Sequence, residues 1–451
     1  DAGSRAYLWL MDRLLKRPAW RYGFLALVGA LLIGACALFP AKAVLVKMLP
    51  FDNKSEFSVM VDMPRGTPLE ETTAVARELA DAVIERGDVA GATLYAGASG
   101  PMTFNGLIRH YYQRTGANEA EVSVNLLPKS ARDRQSHPIA KAVRETLAPI
   151  AARHDARIKV VELPPGPPVL QTLVAEIYGP TDAGRLAVAR QVRDIMKQTP
   201  DVVDVDWYVD DPRPERVIRV ERDKAQAAGV DPERALRDVA ASVAGTVAGL
   251  LHDEQAREDA PIVVRLPIGS RADARDMEGI VVRGDGGRLV SLGQIASIRE
   301  HEEPSSLYHK NLLPVVYVTG DVAGREESPV YAMGKVNDAL AKLAATGTGA
   351  WQAEDKSPLP ILWTAMPTQS ADYNMKWDGE WQITYEVFRD MGIAFAVVMV
   401  LIYILTVGWF GSYTTPIAIM APIPLSLIGI IPAHALAGAF FTATSMIGFI
   451  A

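Results

Sequence analysis

With 451 residues, 53 acidic and 46 basic side chains and a net charge of −7, the chain has room for about three domains. Its single cysteine, Cys36, excludes a disulfide framework and a cysteine-based metal site. Residues 391–451 contain no Asp, Glu, Lys or Arg, while residues 46–390 hold 40 basic and 51 acidic side chains; an acidic block without a basic stripe is not built for nucleic acid.

The chain begins at Asp1 and ends on "SMIGFIA" in the middle of an apolar run, so a truncated piece of a longer protein is expected. In "RAYLWLMDRLLKR" the apolar Leu8, Trp9, Met11 and Leu15 oppose the charges, which predicts an amphipathic helix over residues 1–18 lying on the cytoplasmic membrane surface. Residues 19–45 are predicted to cross the membrane: 22–39 is an uncharged run of about 27 Å as helix. The long basic flank before it places the N-terminus in the cytoplasm and argues against a cleavable signal peptide. The acidic block is then expected outside the cytoplasm, and spans at 386–412 and 415–436, with the start of another at 440–451, lead back into the bilayer. His434 is expected at the membrane interface rather than in a proton path.

Within the block, "EFSVMVDMP" alternates as a strand and "TPLEETTAVARELADAVIER" has helical spacing with Thr67 and Pro68 at its start. Strands at "GATLYAG" and "EAEVSVNLL", a helix at "HPIAKAVRETLAPIAARH" and a strand at "ARIKVVEL" complete a βαββαβ order, the split βαβ unit. After the proline hinge at 164–168 the order restarts with "TLVAEIYG", "AGRLAVARQVRDIMKQ" and "VVDVDWYV". Its second half, "PVVYVTGDV", "PVYAMGKVNDALAKLA" and "LPILWTAM", comes about 100 residues later. An insertion near 215–299 with its own strands and helices lies between.

The loop "GASGPMTFNGLIRHYYQRTGANEAE" is too long and too apolar for a tight turn, the kind of loop that carries function. Glu119, Glu121 and Arg109 within it are read as solvated. Catalytic readings have little support: the seven histidines are scattered without HExxH, and "GPTDAGRL" has Arg185 and Leu186 where a phosphate loop needs Lys and Ser or Thr. No enzyme, cofactor or resident metal is expected.

The domain order, together with "LPFDNKSEFSVMVDMPRGTPLEET", "ERDKAQAAGVDPERALRDV", "GRLVSLGQIASIRE" and "PIPLSLIGIIPAHAL", resembles the C-terminal half of a resistance-nodulation-division (RND) efflux permease. The resemblance implies an α+β membrane protein: transmembrane helices plus two periplasmic βαββαβ (ferredoxin-like) porter subdomains, at 46–170 and at 171–214 with 300–385, the second carrying an inserted α+β docking domain. It implies a proton-driven permease of the bacterial inner membrane, a homotrimer coupled to a periplasmic membrane-fusion adaptor and an outer-membrane channel, exporting hydrophobic or amphiphilic small molecules. The family's proton relay lies in spans outside this chain. By the same resemblance the long loop gates the substrate pocket, with Met102, Phe104, Leu107, Ile108, Tyr111 and Tyr112 as its contacts; packing against a neighbouring subunit is the alternative. Leu170, Thr172, Val174, Trp207, Tyr208 and Tyr317 are expected across the cleft, where aromatics with a polar edge suit a promiscuous pocket. The alternatives are a heavy-metal exporter, for which Met60, Met63 and Met102 are the soft ligands at hand, and a membrane-anchored periplasmic scaffold or protein-export factor. An open aromatic cleft would support the drug pump and a closed polar one the scaffold.

Overall fold

Phe57, Val59 and Val61 alternate along Glu56–Asp62 and face inward, which makes that segment a strand with one face for a core. The structure, a computed structural model, describes residues 2–164, 166–167, 169–252, 259–271, 273–303, 305–324, 326–352 and 357–450; Pro165 and Pro168 of the expected hinge lie outside them. Two helices, α1 (Ala2–Lys16) and α2 (Pro18–Ala37), open the chain. Pro18 starts α2 because a first-turn residue has no use for its N–H, and the Arg13 guanidinium sits 4.0 Å over the Trp9 ring at the corner. Phe24, Leu25, Leu27, Leu31 and Ile33 of α2 face outward, the surface that hydrocarbon would cover.

The first repeat runs β1 (Glu56–Asp62), α3 (Leu69–Ile84), β2 (Val89–Ala96), α4 (Phe104–Ile108), β3 (Glu119–Leu126), α5 (Ser136–Arg153), β4 (Arg157–Glu162). Its antiparallel sheet has the order β2-β3-β1-β4. Phe57, Val59, Val61, Val122 and Val124 pack on Leu79 and Val83 of α3 and Ile139, Val143 and Leu147 of α5. Ser58, Met60, Glu121 and Ser123 therefore fall on the opposite face.

The second repeat starts with β5 (Leu173–Tyr178), α6 (Asp182–Gln198) and β6 (Val202–Trp207). The insertion follows: β7 (Pro214–Val220), α7 (Arg222–Ala227), α8 (Pro232–Val243), β8 (Thr246–Leu251), β9 (Ala260–Val264), α9 (Ala274–Glu278), β10 (Val281–Arg283), β11 (Leu289–Ser291), α10 (Leu292–Ile295) and β12 (Ala296–Glu302). It is a compact unit, Asp210–Ser305, slightly longer than expected because β7 and β12 pair along their whole length. Its core is its own, built on Ala225, Val239, Val282, Val290 and Leu292.

The repeat resumes with β13 (Tyr308–Lys310), β14 (Leu313–Val322), α11 (Pro329–Thr346), β15 (Ile361–Leu362) and β16 (Asn374–Gly379). β14 pairs with both β5 and β6, and β5 pairs with β16. The predicted last strand, "LPILWTAM", is corrected: only Ile361–Leu362 is strand, and the long antiparallel partner of β5 is Asn374–Gly379. Leu173, Ala175, Ile177, Met375 and Trp377 form its core with Val188, Val192, Met333 and Val336.

The chain closes with α12 (Glu380–Phe410), α13 (Thr415–Met420), α14 (Pro422–Leu425), α15 (Leu427–Ala437) and α16 (Ala443–Ile450). Among the described residues three helical stretches are long and apolar enough to cross a membrane: Pro18–Ala37, Glu380–Phe410 and Thr415–Ala437. Pro422 and Pro424 divide the third, since proline lacks the N–H that a continuous helix needs. His434 bonds within this bundle, Nδ1 to the Ile430 carbonyl at 2.8 Å and Nε2 to Ser445 Oγ at 2.9 Å. No slack separates β16 from α12. Gly379 has φ 78°, a Cβ there would lie 2.4 Å from the Gln171 carbonyl oxygen, and Glu380 N donates to the Thr172 carbonyl at 3.2 Å.

Candidate functional site: a loop-covered cavity and a charged seam

Between β2 and β3 the chain folds back over the outer face of the first sheet. Thr103 Oγ caps α4 by accepting from Gly106 N at 3.0 Å, and His110 turns the chain at φ 60°. Glu121 anchors the loop, accepting from Ser58 Oγ at 2.9 Å and from Gly100 N at 3.2 Å. Beneath it lies a cavity of about 170 Å³, lined by Glu56, Ser58, Met60, Met102, Thr103, Tyr111, Tyr112 and Glu121 among others.

The expected pocket residues do not converge. Met102, Tyr111 and Tyr112 line this cavity. Phe104, Leu107 and Ile108 stand on the outer side of the loop, with Phe104 69% exposed. Trp207 lies under the Arg193 guanidinium of α6 at 4.1 Å, and Tyr208 and Tyr317 pack edge to face with Tyr308. Val174 is buried, Leu170 is half-buried, and Thr172 lines a second cavity where the repeats meet.

Where the repeats meet, charge dominates. Arg144 of α5 makes two bonds to Asp204 at 3.0 and 2.8 Å, and Val160 N donates to Asp204 Oδ2 at 3.1 Å. Lys159 of β4 pairs closely with Asp206. Lys141 Nζ reaches Glu327 at 2.8 Å, and His137 lies between Glu162 at 2.7 Å and Glu327 at 3.1 Å. Across this seam the first repeat supplies the cations and the second the carboxylates. Arg109, read as solvated from sequence, is only 6% exposed: it donates to Gln171 at 3.2 Å, and Gln171 and Thr172 in turn bond Asp321. Glu121 is likewise engaged rather than free in solvent, as above. A long loop that doubles back carries its side chains inward, which charge pattern alone does not reveal.

Burial and pairing compete here. Burial lifts the Asp204 carboxyl despite Arg144. Burial works against the charge on Lys159, but Asp206 and Asp62 hold its ammonium above the ordinary value. Burial likewise opposes His137, yet Glu162 and Glu327 raise it to about 9, while at the half-buried Glu327 burial pushes upward but bonds from His137 and Lys141 hold it down at about 2. Among the described residues no group of three His, Cys, Asp or Glu side chains is placed to hold a metal ion; the seam carboxylates instead pair with Lys and Arg. The seam is closed and polar, the arrangement expected of the scaffold reading.

Relatives answer that question differently. Residues 1–357 and 364–451 match the AcrB/AcrD/AcrF family. The cobalt-zinc-cadmium resistance protein CzcA of Cupriavidus metallidurans is 21% identical over 369 residues, 76% of this chain and 32% of that protein. The nickel and cobalt resistance protein CnrA of the same organism is 24% identical over 289 residues, 63% of this chain and 24% of that protein. A crystal structure of a heavy metal efflux pump superposes with a TM-score of 0.74 at 18% identity, over 99% of this chain and 43% of that one. The chain thus spans about a third or less of these curated relatives and under half of the solved pump. With all but residues 358–363 matched, the chain belongs to the AcrB/AcrD/AcrF family of RND efflux permeases.

Proposed function

We propose that this chain is the C-terminal porter half of a proton-driven, trimeric inner-membrane exporter of transition-metal cations. The two repeats serve as ferredoxin-like porter subdomains, the insertion docks the periplasmic adaptor and outer-membrane channel, and the seam is the closed stage of a cleft that opens in turnover. One observation carries the cargo class: Asp204, Asp206 and Glu327 form an acidic wall on the second repeat, neutralised in the closed arrangement by Arg144, Lys159 and Lys141 of the first, with Asp321 beside them bonded by Gln171 and Thr172. When the walls part, such carboxylates favour a hard or borderline cation over an amphiphile. The named cargoes of the relatives support the same class, and the scattered aromatics give hydrophobic cargo no common pocket.

The test expresses the full-length protein in a strain stripped of its own exporters, scoring growth on cobalt, nickel, zinc and cadmium salts beside dyes and bile salts. Tolerance to at least one metal is expected to rise and Asp206→Asn to lower it. Tolerance to dyes with none to metals would return the cargo to the amphiphile class, with Met102, Tyr111 and Tyr112 as its contacts.

A further inference from the structure

The second cavity, about 50 Å³ and large enough for a few waters, lies where the segment after α2, the end of α4, α5, β4, β14 and the first turn of α12 meet. Lys47 lines it and is 5% exposed, its ammonium 4.1 Å from the Phe51 ring and 5.5 Å from the Phe440 ring. Lys47 and Glu380 both line this space and feel each other's charge, and neither makes a side-chain hydrogen bond or ion pair among the described residues. The other charges around them are engaged: Asp321 by Gln171 and Thr172, Arg109 by Gln171, Arg144 by Asp204, and His137 by Glu162 and Glu327. Burial pushes the Lys47 ammonium below its ordinary value, with Glu380 the largest opposing influence.

We propose that Glu380, facing Lys47 across this cavity, is a proton-binding site at the joint between the membrane helix and the two repeats, and that protonating it loosens the seam. The other carboxylates that line the cavity already have bonded partners, Glu162 in His137 and Asp321 in Gln171 and Thr172, so ionised Glu380 is the one left to compensate Lys47. A proton on Glu380 leaves one buried cation uncompensated, a state that low-dielectric surroundings penalise and that entering water relieves. Because Gly379 fixes Glu380 to the second sheet, the gain or loss of that proton acts on the seam and on α12 together. The inference is independent of the cargo.

Hydrogen exchange on the full-length protein without cargo tests it, followed from pH 8.5 to 5.5 and corrected for intrinsic exchange. The reporter is the peptide around Val160, whose N–H donates across the seam to Asp204. The midpoints of His137, about 9, and Glu327, about 2, lie outside this window, and His137 begins to lose its proton only at the alkaline end, where it would change protection in the opposite direction. Wild-type protein is expected to lose protection through one midpoint as pH falls, Glu380→Gln to be loose at every pH, and Glu380→Asp to keep a step at a moved midpoint. Lys47→Met removes the cation that favours ionised Glu380, so its midpoint should rise by about one pH unit or more. A wild-type step that survives in Glu380→Gln, or a midpoint unmoved in Lys47→Met, overturns the proposal. Should Glu380→Gln fail to fold, unmoved midpoints in both Glu380→Asp and Lys47→Met overturn it equally.

Discussion

The two repeats share one chain order and one way of packing two helices under a sheet, but they treat the second face of that sheet in opposite ways. In the first, the outer face carries Ser58, Met60 and Glu121 and keeps a cavity beneath a loop. In the second, the outer face is sealed: Glu176 and Lys376, 0% and 1% exposed and paired in register across β5 and β16, join Lys310, Asp378 and the Tyr178 hydroxyl in one buried network. A duplicated fold has thus become one repeat with room for a ligand and one with a locked face, and between them a seam in which one side is basic and the other acidic.

The locked face should be the most fragile under substitution. Glu176→Leu leaves Lys310 and Lys376 to share Asp378 alone and is expected to cost about 3–5 kcal/mol, read as a lowered melting temperature of the full-length protein; adding Lys376→Met should recover part of the loss. Equal losses in single and double variants would mean that the network is not a unit. On the cavity side, Met60→Ala empties a buried position and should cost about 2–5 kcal/mol by the same melting experiment.

The seam responds to pH through His137. Its folded value of about 9 lies above the ordinary 6.5, so its contribution is complete below pH 6.5 and disappears as pH rises through 9. Melting curves from pH 6 to 10 should show wild type and His137→Gln converging at the alkaline end; a constant gap would refute the assignment. Smallest of all, Phe104→Ala on the exposed side of the loop should change stability by no more than about 0.5 kcal/mol. A large loss there would mean that the loop packs against something in the intact protein.

Periodicity made much of this architecture legible. Period two in "EFSVMVDMP" and helical spacing in the segments after it gave the order of both repeats, and absence of charge gave the long helices. The last strand escaped because Asn374–Gly379 carries Lys376 and Asp378, residues that resemble a loop until Glu176 is seen opposite them. Meanwhile "LPILWTAM" carries the apolar alternation of a strand but pairs over only two residues. The site was less legible than the fold. Aromatic content named Trp207, Tyr208 and Tyr317, whereas the seam rests on pairs such as Arg144 with Asp204, 60 residues apart, and Arg109 with Gln171, 62 apart. The two-residue spacing of Asp204 and Asp206 in "VVDVDWYV" is the one hint of the seam in the sequence, although β6 is irregular between them, with Asp204 at φ 52°.

Gly379 gives the molecule a mechanical character of its own. A flexible linker between the apolar helix and the second sheet would let either move while the other idles. Here the backbone passes from strand to a 31-residue helix through one residue that tolerates no side chain and is bonded on its far side to the start of β5. The helix is therefore the handle of the second sheet: with no slack at the junction, a tilt at its distant end pulls directly on the strand bearing Lys376 and Asp378.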